Sequence, residues 1–305
     1  MQEVNGECDW WCSSASKHDR INPVVISRHT GMPYDHSTKI GNQGDLVKHV
    51  ALFAALQRLL DDWSGSNEFV YADIHAGRPQ YVLPEKGNWR QGIGAFSASK
   101  SVTADRKERE KRRSALGCLG EFDDCFIGRR LATGMIYPGS SGIAFRVLRE
   151  EGIRFRMKVW DKNPAAADDL VRYFLPWQER VTVVCGDGYE GIKENAPLTF
   201  VLIDPPAPEH DAVLRTMAWL KRRKANYICW TPRSSQEKED SRGYFVRARE
   251  VGDCFGVKWG EWRIRKTRAC YITVAHAISE VVEEALRQVA KIMEWELETN
   301  GATPA

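Results

Sequence analysis

The segment Phe200-Val201-Leu202-Ile203-Asp204-Pro205-Pro206-Ala207 constrains the fold of this chain more than any other. Four consecutive apolar residues read as a strand buried on both faces, the kind found in parallel sheets. The two prolines stop it, because proline has no N–H to continue a ladder. A carboxylate is thereby left at the carboxyl end of an inner strand, and in open α/β sheets ligands bind along that edge.

The rest of the chain repeats the theme. Phe69-Val70-Tyr71-Ala72-Asp73 is a β-rich run that ends in an acid and leads through Ile74-His75-Ala76 to Gly77. Arg78 and Pro79 occupy the place where a standard dinucleotide fingerprint would have a second glycine. Residues 154–160 form a strand ending at Asp161, and residues 181–185 form one ending at the turn Gly186-Asp187-Gly188. Residues 226–230 are closed by Pro232, and two more strands fall near 257–264 and 269–275. Between them, helical spacing is predicted over 46–60 with Asp45 as N-cap, after Tyr137-Pro138-Gly139-Ser140-Ser141, over 164–173, over 210–223 and over 278–297. Lys48 and His49 then fall in the first turn of their helix, where free backbone N–H groups favour an anionic ligand group, though the same pattern by itself reads first as a surface lysine and a capping histidine. Seven strands alternating with helices predict an α/β fold with a mostly parallel sheet.

At 305 residues the chain is long enough for one large α/β domain with an insertion. The expected organisation is a partly ordered arm over 1–32 and a domain over 33–305, with a helical insertion at about 88–134. The net charge of +3 diagnoses no particular partner. Residues 100–113, with seven basic and three acidic side chains, suit either phosphate contact or a solvated helix face. Eight scattered cysteines, with neither a signal segment nor a long apolar run, point to reduced thiols in a cytoplasmic protein and no membrane partner. Cys8 and Cys12 with His18 lack a second cysteine pair to complete four ligands, so no metal is expected.

Several spaced motifs together resemble the bacterial 23S ribosomal RNA adenine-N6 methyltransferases of the RlmJ type. They are Tyr34-x-His36-Ser37, Gly41-Asn42, Asp45, Lys48-His49, Asp73-x-His75-Ala76-Gly77, Tyr137-Pro138-Gly139-Ser140, Asp161-x-x-Pro164, Asp187-Gly188, Asp204-Pro205-Pro206 and Trp230-x-Pro232. The resemblance implies a class I fold dependent on S-adenosylmethionine (SAM), a Rossmann-like seven-stranded sheet with a helical insertion, and RNA, 23S rRNA in particular, as partner. It implies that Lys48, His49, His75, Gly77, Ser140, Asp161, Asp187, Gly188 and Asp204 line the SAM pocket. Asp204 and the Pro205 carbonyl would accept the N–H bonds of the acceptor amine, and Lys48 would be a further catalytic residue. Tyr34, His36 and Trp230 would meet the target base. Ala207 stands where these enzymes place an aromatic residue on which the base stacks, so two other readings stay open. One is a SAM-dependent N-methyltransferase for DNA or a small molecule; the other is a non-catalytic nucleic-acid-binding protein of the same fold.

Overall fold

The computed structural model describes residues 36–299, apart from positions 38, 65–66, 100–117, 128–135, 195–196, 207–208, 234–237 and 262–265. The arm with Cys8, Cys12 and His18, the basic run at 100–113, Tyr34 and Ala207 lie outside the described residues. The elements run α1 (Gln43–Asp61), β1 (Phe69–Asp73), β2 (Gln80–Val82), α2 (Ile93–Ala98), α3 (Cys118–Phe126), β3 (Ile136–Pro138), α4 (Ser140–Glu150), β4 (Phe155–Asp161) and α5 (Pro164–Phe174). They continue with β5 (Val181–Cys185), α6 (Gly188–Gly191), β6 (Phe200–Ile203), α7 (His210–Arg222), β7 (Asn226–Arg233), α8 (Lys238–Val251), β8 (Asp253–Glu261), β9 (Lys266–Val274), α9 (Ser279–Met293) and β10 (Glu296–Glu298).

The main sheet has the order β10-β8-β9-β7-β6-β1-β4-β5. The strands from β5 to β7 are parallel, and β9 runs antiparallel between β7 and β8. This is the class I methyltransferase arrangement with one short strand added at the edge. Alternation along the inner strands builds the two cores: Phe200 and Leu202 of β6 enter the one under α1, α4, α5 and α9, while Val201 and Ile203 enter the one under α6, α7 and α8. No helix among the described residues is long and apolar enough to cross a membrane.

Several sequence expectations are corrected. Helix α1 starts at Gln43 rather than 46, and its N-cap is Asn42, whose side chain accepts from the Asp45 N–H at 3.1 Å. Asp45 is thereby the third residue of the helix, in its first turn, and its carboxylate is used for other contacts. Pro232 does not close β7 but lies within it, opposite Cys270 of β9. It is tolerated because β6 ends at Ile203, opposite Cys229, so that side of β7 no longer requires a donor. The last helix stops at Met293, where Glu294 adopts a left-handed conformation (φ 55°) and turns the chain into β10, the eighth strand. Ile136 to Pro138 form a strand pairing with β2, so a small antiparallel ribbon precedes α4.

Candidate active site

The sheet order reverses between β1 and β6, the two strands whose ends diverge to neighbours on opposite sides. Connections leave such a switch point in opposite directions and open a crevice at the carboxyl ends. A cleft of about 530 Å³ lies there, within the range of small-molecule sites. Asp204, just past the end of β6, is one of its walls. Its backbone N–H donates to Nδ1 of His75 at 3.3 Å. Burial, with the charge of Lys162 adding to it, lowers His75 to about 3, so the ring is neutral and carries its proton on Nε2. Trp230 follows Cys229, the register partner of Ile203, and so lies alongside Asp204 on the next strand.

The start of α1 supplies the opposite wall. Lys48 reaches 156 residues along the sequence to ion-pair with Asp204 Oδ2, while Asp45 Oδ1 holds the same ammonium at 3.0 Å. Asp45 Oδ2 accepts from the Gly41 N–H at 2.7 Å and meets Nε2 of His36 at 2.8 Å. Burial by itself would raise the Asp45 carboxyl, but His36 and Lys48 hold it well below the usual carboxylate range. Burial would likewise lower Lys48, yet Asp204 and Asp45 keep it charged well above the ordinary lysine value. The four side chains therefore form one connected line of hydrogen bonds and ion pairs from His36 through Asp45 and Lys48 to Asp204. The Lys48 ammonium is also 5.8 Å from the centre of the Trp230 ring. His49, lowered to about 3 by burial and the neighbouring Lys48, is joined to the Tyr137 hydroxyl at 2.8 Å.

Toward β4 the cleft is built from the loop after β1. Gly77 adopts φ +61°, and a Cβ there would lie 2.6 Å from the Tyr81 hydroxyl. Its N–H donates to Asp161 Oδ2 at 2.8 Å, and Asp161 Oδ1 accepts from the Asn163 N–H at 2.7 Å. Below the loop, Asp73 is fully buried and accepts from Ser140 Oγ at 2.7 Å.

Of the residues named from sequence, His36, Lys48, His49, His75, Gly77, Ser140, Asp161, Asp204 and Trp230 line this one cleft. Pro205, Asp187 and Gly188 are not among its lining residues. Asp187 caps α6 through the Tyr189 N–H at 2.8 Å and pairs with Lys162 at 3.0 Å. Gly188 packs under Ile74, whose carbonyl would lie 2.2 Å from a Cβ. Sequence reasoning missed Arg78, Lys162, Asn163 and Trp259 as lining residues. The two after Asp161 follow from its position at a strand end; Trp259 gave no signal, since it belongs to a strand two places from β7.

Residues 66–251, more than half of the chain, match the family model described as "Ribosomal RNA large subunit methyltransferase D, RlmJ". The chain belongs to that family. Two proteins named "Ribosomal RNA large subunit methyltransferase J" are similar to it over 215 residues, 66% of this chain and 70% of each relative. They are 27% identical in Haemophilus influenzae and 25% in Escherichia coli. A crystal structure of a Legionella pneumophila protein shares the fold at a TM-score of 0.65 and 16% identity, covering 86% of this chain and 98% of that one. Membership in the RlmJ family makes this chain a methyltransferase with SAM as methyl donor. The residues present fit such a group: Asp161 offers a carboxylate at the end of β4, Gly77 and Ala166 leave the wall beside it thin, and the cleft size is adequate.

Proposed function

We propose that the protein transfers a methyl group from SAM to the exocyclic N6 of an adenine in 23S ribosomal RNA. The observation that carries this reading is Asp204 at the switch point, held by Lys48 on Oδ2 and flanked by Trp230. The names of the relatives supply the RNA class. Bound SAM supplies an electrophilic methyl on a sulfonium; everything else is the work of the chain.

Adenine N6 is a weak nucleophile because its lone pair is delocalised into the ring. With Lys48 on Oδ2, Asp204 retains Oδ1 for one amine N–H, and the carbonyl of Pro205, the residue between the lining residues Asp204 and Pro206, is the acceptor for the other. Two acceptors fix the direction of the nitrogen lone pair and favour a more pyramidal nitrogen. Lys48, paired with Oδ2, fixes the plane of the Asp204 carboxylate. His75, neutral and bonded to the Asp204 backbone, sets the height of the acid above the sheet. The base must leave its stack to arrive there, and with alanine at 207 the indole of Trp230 is the ring beside the acid on which it can rest. Such stacking is worth about 1 to 3 kcal/mol per base. Asp161 takes the ribose hydroxyls of SAM, a carboxylate being able to accept both O–H groups. His36 meets the base from the amino-terminal side.

The test is transfer of label from SAM to protein-free 23S rRNA, with the product mapped by mass spectrometry. The expected product is N6-methyladenosine at a defined position, and Asp204→Ala should lower the rate by at least about a hundredfold, in the range seen when a preorganised transition-state contact is removed. Label found only in DNA or in a metabolite pool would replace the RNA reading. Folded protein that labels nothing would leave a binding protein.

A further inference from the structure

The loop after β1 has Arg78 and Pro79 where a second glycine is expected, and the structure gives this departure a purpose. Arg78 Nη1 ion-pairs with Oδ2 of Asp169 on α5, while Arg172 takes Oδ1 of the same carboxylate. Both partners are largely sheltered, with side chains 25% and 28% exposed. Arg78 lines the cleft, and so do Asn163 and Ala166 from the start of α5. The pair therefore joins the two walls at the Asp161 end. The loop backbone is gripped as well: the Arg78 N–H donates to the Tyr81 hydroxyl at 2.9 Å, and the Pro79 carbonyl accepts from the Gly139 N–H at 2.9 Å. A Cβ at Gly139 would lie 2.2 Å from the Arg78 carbonyl, so the loop is seated directly on the entry to α4. A glycine at 78 would make the turn but has nothing with which to reach α5.

We propose that Arg78 and Asp169 form a clasp that fixes the cofactor loop against α5 and so sets the affinity for the nucleoside end of SAM. They are positioning residues, since they act through the loop and helix. This inference rests on the reading of the cleft as the SAM site. Its physical basis is preorganisation: a loop already held by an oriented guanidinium–carboxylate pair has less freedom to lose when the ligand arrives. A partly exposed pair adds little to global stability, so the effect belongs to binding.

Calorimetric titration of SAM and of S-adenosylhomocysteine into the full chain tests it, using wild type, Arg78→Ala, Asp169→Asn and the exchanged pair Arg78→Asp with Asp169→Arg. Each single variant should bind both ligands about tenfold more weakly, with a thermal midpoint close to wild type, and the exchanged pair should regain most of the loss. Equal affinity in all four proteins overturns the clasp. Weakening by Arg78→Ala without weakening by Asp169→Asn also overturns it, because Arg78 then acts on the ligand directly. A wild-type protein that is folded and gives no heat overturns the SAM-site reading itself, and the clasp with it.

Discussion

Asp73 has no exposed surface, and burial pushes its carboxyl up to about 7; the Ser140 hydrogen bond pulls it down and the negative Asp204 pushes it further up. The groups facing it are the Tyr71 and Ser140 hydroxyls, the His75 N–H, Asp204 and Lys48. A carboxyl raised in the folded state keeps its proton there longer than in the unfolded chain. Its contribution to stability is complete below the ordinary aspartate value and is lost as pH rises through about 7. The thermal midpoint should fall by a few degrees from pH 6 to pH 8 (about 2 to 4 °C per kcal/mol for a domain of this size), and Asp73→Asn should flatten that slope. Parallel profiles for the two proteins would assign the slope to another group. The acid was visible in the sequence as the end of a strand, but its full burial was not, because it depends on Ser140 arriving from 67 residues away. Asp204 and Asp161 were legible for the opposite reason: each stands at a strand end whose ligand-facing character follows from local pattern alone. The contact of Lys48 with Asp204 was not legible, because 156 residues separate the two and no local pattern pairs them.

At the scale of elements, α1 does the most to assemble the site, since its first turns carry Asp45 and Lys48 and its middle packs Phe53 against Phe122 and Phe126 of α3. Its start is fixed by Asn42, and Asn42→Ala should cost about 1 kcal/mol, read as a lower urea midpoint with unchanged slope. Asn42→Ser should recover most of it; a serine variant as weak as alanine would show that Asn42 acts through something other than its cap. Sequence periodicity found this helix but began it three residues late, because Gln43 and Gly44 carry no apolar signal and Asp45 is itself a good cap. The strands were easier, since four of the five parallel ones end in or next to an acid or a turn that punctuates them. The ribbon of β2 and β3 escaped notice: two three-residue strands on either side of a long insertion leave no periodic trace.

The whole molecule differs from the sequence expectation chiefly at one edge. Glu296 and Leu297 fall within the helical spacing of 278–297, and the left-handed Glu294 with Trp295 after it separates β10 from α9. Strand β10 pairs with β8, Glu298 ion-pairs with Lys258, and Trp295 meets Trp259 at 5.4 Å. A chain ending at Met293 should keep its secondary structure by circular dichroism but scatter more light on concentration, because β8 would become an open edge. Identical scattering would mean that β8 protects itself. The ribbon carries a different consequence. Val82 and Ile136 face each other in it, so the segment between them leaves and re-enters the fold at neighbouring points. Its two ends are held together by the ribbon while Ile93, Phe96, Phe122 and Phe126 anchor its described helices on the core, so the segment braces α1 without tugging on Gly77 or Ser140.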